Sequence, residues 1–557
     1  MAIRWVCLGM MAAMAAGCAS SQPHSPELYH HVIEFDGDGF TIDPQNGQRL
    51  TSAREQFSAI LKQMQAELND RPNRKILMFV HGGLTSPETE LTRIEQQLVE
   101  IKAADPDCYP IFVVWDSSLA STYGEHLFDV REGQKNSQTI ASGRRTFPIY
   151  FCCDVLRAIA RAPMVWLEQS HTDGQAIVAV SQSLLEHDLE TQKTAGADRI
   201  EAWTHDARNA NAIAFYLELN HRYWDDRHGA ADHPPTQIAI SIGNDESTTL
   251  NWLGRGGTYF ATVPSKLLTA PVIDALGTAA WRDMTRRTQT ILEGASDFEV
   301  RPNTPAAEIS EYLDRGTDGG LDQFVRMLAE FPPPPDQHPC EITLIAHSMG
   351  SMIVNELLRR ETEREVEYEQ ANLPMRLPVT NIVYMAAACS IRDYTSGVVP
   401  FMRRPNHQDC HFYNLCLHPT AELIETNVAD IPPRGSLLCW IDQFLGEPAT
   451  PLDRTLGRWD NLVQVAYVVP ANLRGRTTIK AFALRPSSVD NIDPADPQPQ
   501  RHADFSQSPY WDPKFWQPAD PIQPGSSKLK FLELRQQTLV QQTRTPGPSQ
   551  SGSVQQK

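Results

Sequence analysis

Three short, unbroken apolar runs constrain the fold of this chain more than any other feature. They are Lys75–Val80 (KILMFV), Tyr109–Trp115 (YPIFVVW) and Glu341–Ala346 (EITLIA). A continuous run of this length fits a strand covered on both faces, the situation of a parallel sheet wrapped by helices. Apolar residues at helical spacing over Ser52–Leu68, Glu88–Lys102 and Met349–Gln370 supply the wrapping. Strand, helix, strand at this spacing is a parallel unit, so the predicted class is α/β, with a mostly parallel central sheet flanked by helices.

Three further strands are predicted after the Glu341 run: Val379–Ala386, His411–Leu417 and Thr478–Leu484. At the front, His31–Phe40 alternates apolar and polar residues before an Asp-Gly turn, which reads as a strand and hairpin. The DGDG at Asp36–Gly39 is a turn rather than a calcium loop, because Gly47 stands where the twelfth-position Glu would be. Between the two halves the rhythm changes. Residues 117–331 hold helical patterns at Ile149–Gln169, Asp198–Arg222 and Thr278–Leu292, with one strand candidate, Gln237–Ile242. The predicted organisation is therefore a core in two parts, 18–116 and 332–520, interrupted by a large, mainly helical cap. The break FPPPPDQHP at Phe331–Pro339 cannot be helical and delivers the chain back into the core. Residues 521–557, rich in Gln, Ser, Thr and Pro, read as a disordered tail.

Charge removes one class of function. Acidic residues exceed basic ones by 19 among the 557, a balance that repels phosphate backbones and argues against nucleic acid as a partner. No internal stretch reaches the roughly 18 unbroken apolar residues of a spanning helix. Residues 1–17 have an early Arg4 and an apolar run, the pattern of an export signal. Its end, Ala15-Ala16-Gly17-Cys18, resembles the bacterial lipobox, with Ala15 where Leu is usual. That resemblance implies acylation of Cys18 and a membrane anchor of more than one chain. Ala19 in place of Asp implies the outer membrane of the cell envelope, facing the periplasm. The alternative is an ordinary cut near Ala19 or Ser20 and a free protein. Eight of the ten cysteines then remain, too few for a disulfide scaffold, and their pairing is open.

The motif richest in chemistry is Ala346-His347-Ser348-Met349-Gly350, set between the EITLIA run and a periodic helix. Small residues two before and two after Ser348 allow a tight strand-to-helix elbow that lifts its hydroxyl above the sheet edge. The following helix aims its positive end at charge developing there. A helix N-cap is the other use of a serine in this place. His81-Gly82-Gly83, ending the KILMFV run, is a second signal. Its glycines permit a sharp turn that offers the N–H of Gly83, or of Leu84, to an oxyanion, with Met349 as the second donor.

With these motifs the chain resembles the α/β-hydrolase serine esterases and lipases, over about Ile33–Trp115 and Glu341–Trp516. The resemblance implies nucleophile, acid and base in that chain order. His502 is the only histidine after the last strand, and is therefore the implied base. The implied acid is Glu422, a few residues beyond the strand His411–Leu417, with Asp393 as its rival and Asp430 and Asp460 behind them. Ser348 would attack an acyl ester, His502 would move the proton, and water would release the acid. Neither metal nor organic cofactor is implied. Amide or thioester cleavage and haloperoxidation would reuse the same elbow, as would a secreted phospholipase effector. A different class of function is a catalytically idle envelope lipoprotein that binds a partner or lipid through its cap.

Other features have plainer readings. His407, Cys410, His411, Cys416 and His418 could suggest zinc, but no C-x2-C pair occurs and the middle of the group reads as a strand. Gly254-Arg255-Gly256-Gly257 lacks the lysine of a phosphate loop and reads as a turn. Phe147–Leu167 is densely apolar with two central arginines, and Pro163 is expected to kink any helix there. It reads either as a lid that touches lipid or as a buried cap helix.

Overall fold

The computed structural model describes residues 24–69, 71, 73–131, 134–135, 137–191, 237–240, 249–292, 320–330, 340–370, 377–425, 432–464, 468–482 and 499–517. The export signal, Cys18, the helix expected at Asp198–Arg222, Asp430 and the tail at 521–557 lie outside these residues.

The first part of the core begins with β1 (Val32–Phe35) and β2 (Thr41–Ile42), joined by the DGDG turn. Then come α1 (Ala53–Leu68), β3 (Lys75–Val80), α2 (Pro87–Ala104) and β4 (Cys108–Trp115). All eight residues of β4 and five of the six in β3 are buried, as unbroken apolar runs require.

In the interrupting region the described elements are α3 (Leu119–Phe128), the paired β5 (Val130–Arg131) and β6 (Gln134–Lys135), α4 (Ser137–Thr191), β7 (Gln237–Ile240), α5 (Thr249–Thr290) and α6 (Gly320–Glu330). One expectation fails here. The Gly254–Gly257 stretch is not a turn but part of α5. Pro163, expected to kink a helix, lies inside one: α4 continues through Pro148 and Pro163, and α5 through Pro264 and Pro271. Each proline removes one backbone bond, which a helix of this length absorbs when its neighbour holds it. That neighbour is identified by Arg157 facing Asp274 and by Trp166 bonding Leu267, so α4 and α5 run antiparallel along each other. Ion pairs tie α5 and β6 to neighbouring parts of the chain. Arg287 of α5 reaches Asp116 and Glu125 at 2.9 Å each, and Lys135 reaches Asp38 at 2.6 Å.

The second part of the core contains β8 (Glu341–His347), α7 (Gly350–Gln370), β9 (Val379–Met385), β10 (His411–Cys416), α8 (Pro419–Ile424) and β11 (Thr477–Ala481). Among the described residues the sheet has nine strands in the order β2-β1-β4-β3-β8-β9-β10-β11-β7. Every neighbouring pair is parallel except β1 with β2. The strand expected inside the cap therefore belongs to the central sheet, where β7 forms the edge beside β11. The cysteine- and histidine-rich segment is divided between a buried strand and its flanks. His407 stacks on Phe401 with ring centres 3.8 Å apart and bonds Glu365 at 2.5 Å.

The strand order also locates the place where a site can form. From β3 the chain moves to β4 on one side, whereas from β8 it moves to β9 on the other. Crossovers that leave in opposite directions open a crevice beyond the carboxyl ends of the two strands. Residues 81–83 and 347–350 both lie at those ends.

Candidate active site

Ser348 follows β8 with φ of +50°, a left-handed conformation that costs a non-glycine residue about 1–3 kcal/mol. Its main chain is held there by several bonds. Ser348 N–H donates to Met385 O (2.9 Å), and Ser348 O accepts from Ala388 N–H (3.0 Å), Ser351 N–H (3.1 Å) and Ser351 Oγ–H (2.6 Å). The sharp turn also needs Gly350. A Cβ there would lie 2.4 Å from Val80 O and 2.8 Å from His81 O, so α7 starts in direct contact with the end of β3. With the main chain so fixed, the hydroxyl of Ser348 is buried and has no hydrogen-bond partner among the described residues.

The glycine loop packs against this elbow. A Cβ on Gly82 would lie 2.8 Å from His347 Nδ1 and 2.9 Å from Ser348 Cβ, and one on Gly83 would lie 2.5 Å from Met349 Sδ. Gly83 and Met349 are thus side by side, and neither N–H is bonded to an acceptor among the described residues. Leu84, the alternative donor, is engaged instead: its N–H donates to Ser117 O at 3.0 Å. His81 secures the loop, its Nε2 accepting from Trp115 N–H at 2.9 Å. Burial pushes that imidazole down to about 3, so it stays neutral and serves as an acceptor.

His502 comes from a segment 155 residues beyond His347 in the chain, and the structure brings the two together. His347 Nε2–H donates to His502 O at 3.1 Å, and the ring centres are 5.0 Å apart. The segment is docked by Gln97 of α2, whose Nε2–H donates to Ser506 O (2.7 Å) while its Oε1 accepts from Tyr510 O–H (2.7 Å). Tyr510 stacks on Phe79 of β3, with centroids 4.4 Å apart. Both ring nitrogens of His502 are buried and without a partner among the described residues. Burial, with His347 beside it, holds the imidazole well below its usual pKa and therefore neutral.

The carboxylates are arranged differently from the sequence expectation. Glu422 is buried at the end of α8, where Ser436 Oγ–H donates to its Oε2 and Cys439 Sγ lies 3.8 Å away. The structure does not bond it to His502. Asp393 closes a capping box with Ser390 and caps the helix Ile391–Ser396, and Asp460 lies 3.9 Å from Arg458. The carboxylate that touches this residue is Glu425, whose Oε2 accepts the main-chain N–H of His502 at 2.9 Å, while neither ring nitrogen is bonded to it. Burial pushes Glu422 up to about 7 and Glu425 up to about 8, the nearby Glu422 adding to the latter. The sequence carried a signal for Glu425. It stands about one helical turn after Glu422, although the sequence reading named only Glu422, Asp393, Asp430 and Asp460.

The eight cysteines of the described residues are all free thiols. Compared with protein-family models, with curated proteins and with solved structures, the chain has no match in any of the three. The reading of function therefore rests on the geometry.

Proposed function

We propose that the protein is an α/β-hydrolase that cleaves carboxylic esters through an acyl-enzyme on Ser348, with His502 as general base. One observation carries the reading. A serine held at positive φ has a buried, unbonded hydroxyl, and His347 beside it bonds the main chain of His502, whose imidazole has two unbonded nitrogens. The hydroxyl and both ring nitrogens are therefore uncommitted among the described residues and available to a ligand. In the proposed reaction the Ser348 hydroxyl adds to the ester carbonyl as its proton passes to His502. The oxyanion that forms lies against the N–H groups of Gly83 and Met349. His502 returns the proton to the departing alcohol, and a water molecule, deprotonated by the same imidazole, then releases the acid. Glu425, in contact with the residue that carries the base, is proposed as the carboxylate that serves it, ahead of Glu422.

Acylated Cys18 is proposed to tether the enzyme to the cell envelope. The test is covalent labelling of the chain from Ala19 onward with a fluorophosphonate, followed by a panel of esters of rising acyl length. Labelling is expected in the parent and absent in Ser348→Ala. A folded parent chain that takes no label would overturn the proposal and favour a non-catalytic envelope lipoprotein.

A further inference from the structure

The polarity of α4 is inverted relative to that of an ordinary surface helix. Every exposed residue from Phe147 to Leu167 is uncharged and lacks a hydroxyl. Ile149, Leu156, Ile159, Met164 and Leu167 are each 60–70 % exposed, and Leu268 of α5 is 65 % exposed. The charged residues of the same stretch face the protein. Asp154 accepts from Tyr123 O–H at 3.0 Å and lies 3.2 Å from His126 Nε2. Arg157 and Arg161 reach Glu447 at 2.6 and 3.0 Å and flank Asp274 at 3.6 and 3.2 Å. A helix in water turns its apolar stripe inward and its charges outward. Here the order is reversed over a strip about 30 Å long.

We infer that this strip docks on a lipid bilayer, lying in the plane of the interface with its side chains among the acyl chains. Its chemistry favours lipid over a protein partner. Protein interfaces carry about one hydrogen bond per 100–200 Å², whereas this strip offers only the thiols of Cys152 and Cys153, weak donors, and the Trp166 indole N–H, which already donates to Leu267 O at 2.7 Å. The exposed Trp166 is of the type enriched at a membrane–water interface.

The path of the N-terminus agrees. Glu27 pairs with Lys102 at 2.8 Å, and Ser25 N–H donates to Glu95 at 2.8 Å. Followed backwards, the chain therefore climbs α2 toward its start, the sheet edge at which Ser348 lies. Five residues separate His24 from Cys18, a span of up to about 20 Å, so a bilayer at that edge is within reach of an acylated Cys18. This last argument rests on the proposed anchor, and the others do not. The chain's excess of 19 acidic residues favours a zwitterionic over an anionic surface.

The experiment is flotation of the chain from Ala19 onward, which keeps every described residue, with vesicles of zwitterionic phosphatidylcholine. The parent protein is expected to float with the vesicles. The double variant Leu156→Glu, Ile159→Glu is expected to partition about tenfold less or worse. Val99→Glu, which replaces an equally exposed apolar residue on α2, is expected to float like the parent. Matching thermal melts confirm that the variants are folded, and Ser348→Ala is expected to float normally, separating docking from catalysis. The inference fails if the parent does not float, or if the double variant floats equally well. It fails also if the parent self-associates without lipid and the double variant does not, since a second copy then covers the strip.

Discussion

His347, the residue before the proposed nucleophile, donates from Nε2 to the main-chain carbonyl of His502 at 3.1 Å. The elbow thus holds the proposed base as well as the proposed nucleophile, and one turn links the two. Burial pushes the His347 imidazole down to about 4, so it remains a neutral donor at any ordinary pH.

Removing that donor should misplace the base without removing it. His347→Ala is expected to lower kcat about ten- to hundredfold, because small displacements of a catalytic group cost on that scale. Loss of one buried hydrogen bond should lower stability by about 1 kcal/mol. His347→Gln, which keeps an N–H donor, is expected to recover part of the rate. The fluorophosphonate labelling rate measured beside the melting temperature separates misplacement from unfolding.

The two glutamates can be told apart. If Glu425 serves His502, Glu425→Gln keeps an acceptor for the main-chain N–H of His502 yet removes the charge that an imidazolium requires, and kcat above pH 8, where Glu425 is ionised, should fall about a thousandfold or more. Glu422→Gln should stay near the parent rate. Burial pushes Glu425 up to about 8 and holds His502 neutral far below that, so kcat/KM is expected to climb through pH 7 to 8 rather than level off near 6.5. A large loss confined to Glu422→Gln would return the role of acid to Glu422.

Much of this fold was legible in the sequence because burial on both faces leaves an unbroken apolar run, and β3, β4 and β8 follow theirs to within a residue or so. The sharp turn at Ser348 was legible too, since Gly350 is small where Val80 O and His81 O leave no room for more. What long-range pairing decides was not. Gln237–Ile240 reads as a strand, but nothing local says that it joins β11. Pro163 reads as a kink, and nothing local says that the helix containing it runs on to Thr191 with α5 packed along it. The choice between Glu422 and Glu425 depends on where a segment 77 residues further on approaches α8, which the spacing of the glutamates cannot show.

Two glycines should respond to alanine in opposite directions. Gly350→Ala forces a Cβ to within 2.4 Å of Val80 O on a central strand that cannot retreat, and should destabilise by about 1–3 kcal/mol while abolishing labelling of Ser348. Gly124, inside α3, has nothing within 4 Å of the position its Cβ would take. Gly124→Ala should stabilise by about 0.5–1 kcal/mol through helix propensity alone. Denaturant midpoints for the two variants test both signs in one experiment.

Stability should also fall on the alkaline side of neutrality. Burial pushes Glu34 and Glu425 up to about 8, Glu422 and Glu361 up to about 7, and Asp283 up to about 6. Between the unfolded value near 4.5 and these folded values the native chain holds protons that the unfolded chain has released. Stability therefore drops as pH rises through that window. The buried histidines act in the opposite sense. His31 and His347 are pushed down to about 4 and His81 to about 3, so the unfolded chain binds protons that the native one refuses below 6.5. The two sets oppose each other between about 4.5 and 6.5, but from 6.5 to 8 only the carboxyls titrate. The melting temperature should thus decline over pH 6.5 to 8.5. Glu34→Gln, which replaces a buried carboxyl whose Oε2 has no partner, should flatten that decline. A melting temperature that instead rises across this range in the parent would mean that these carboxyls are ionised in the folded protein, and the neutral glutamates inferred around His502 would have to be abandoned with them.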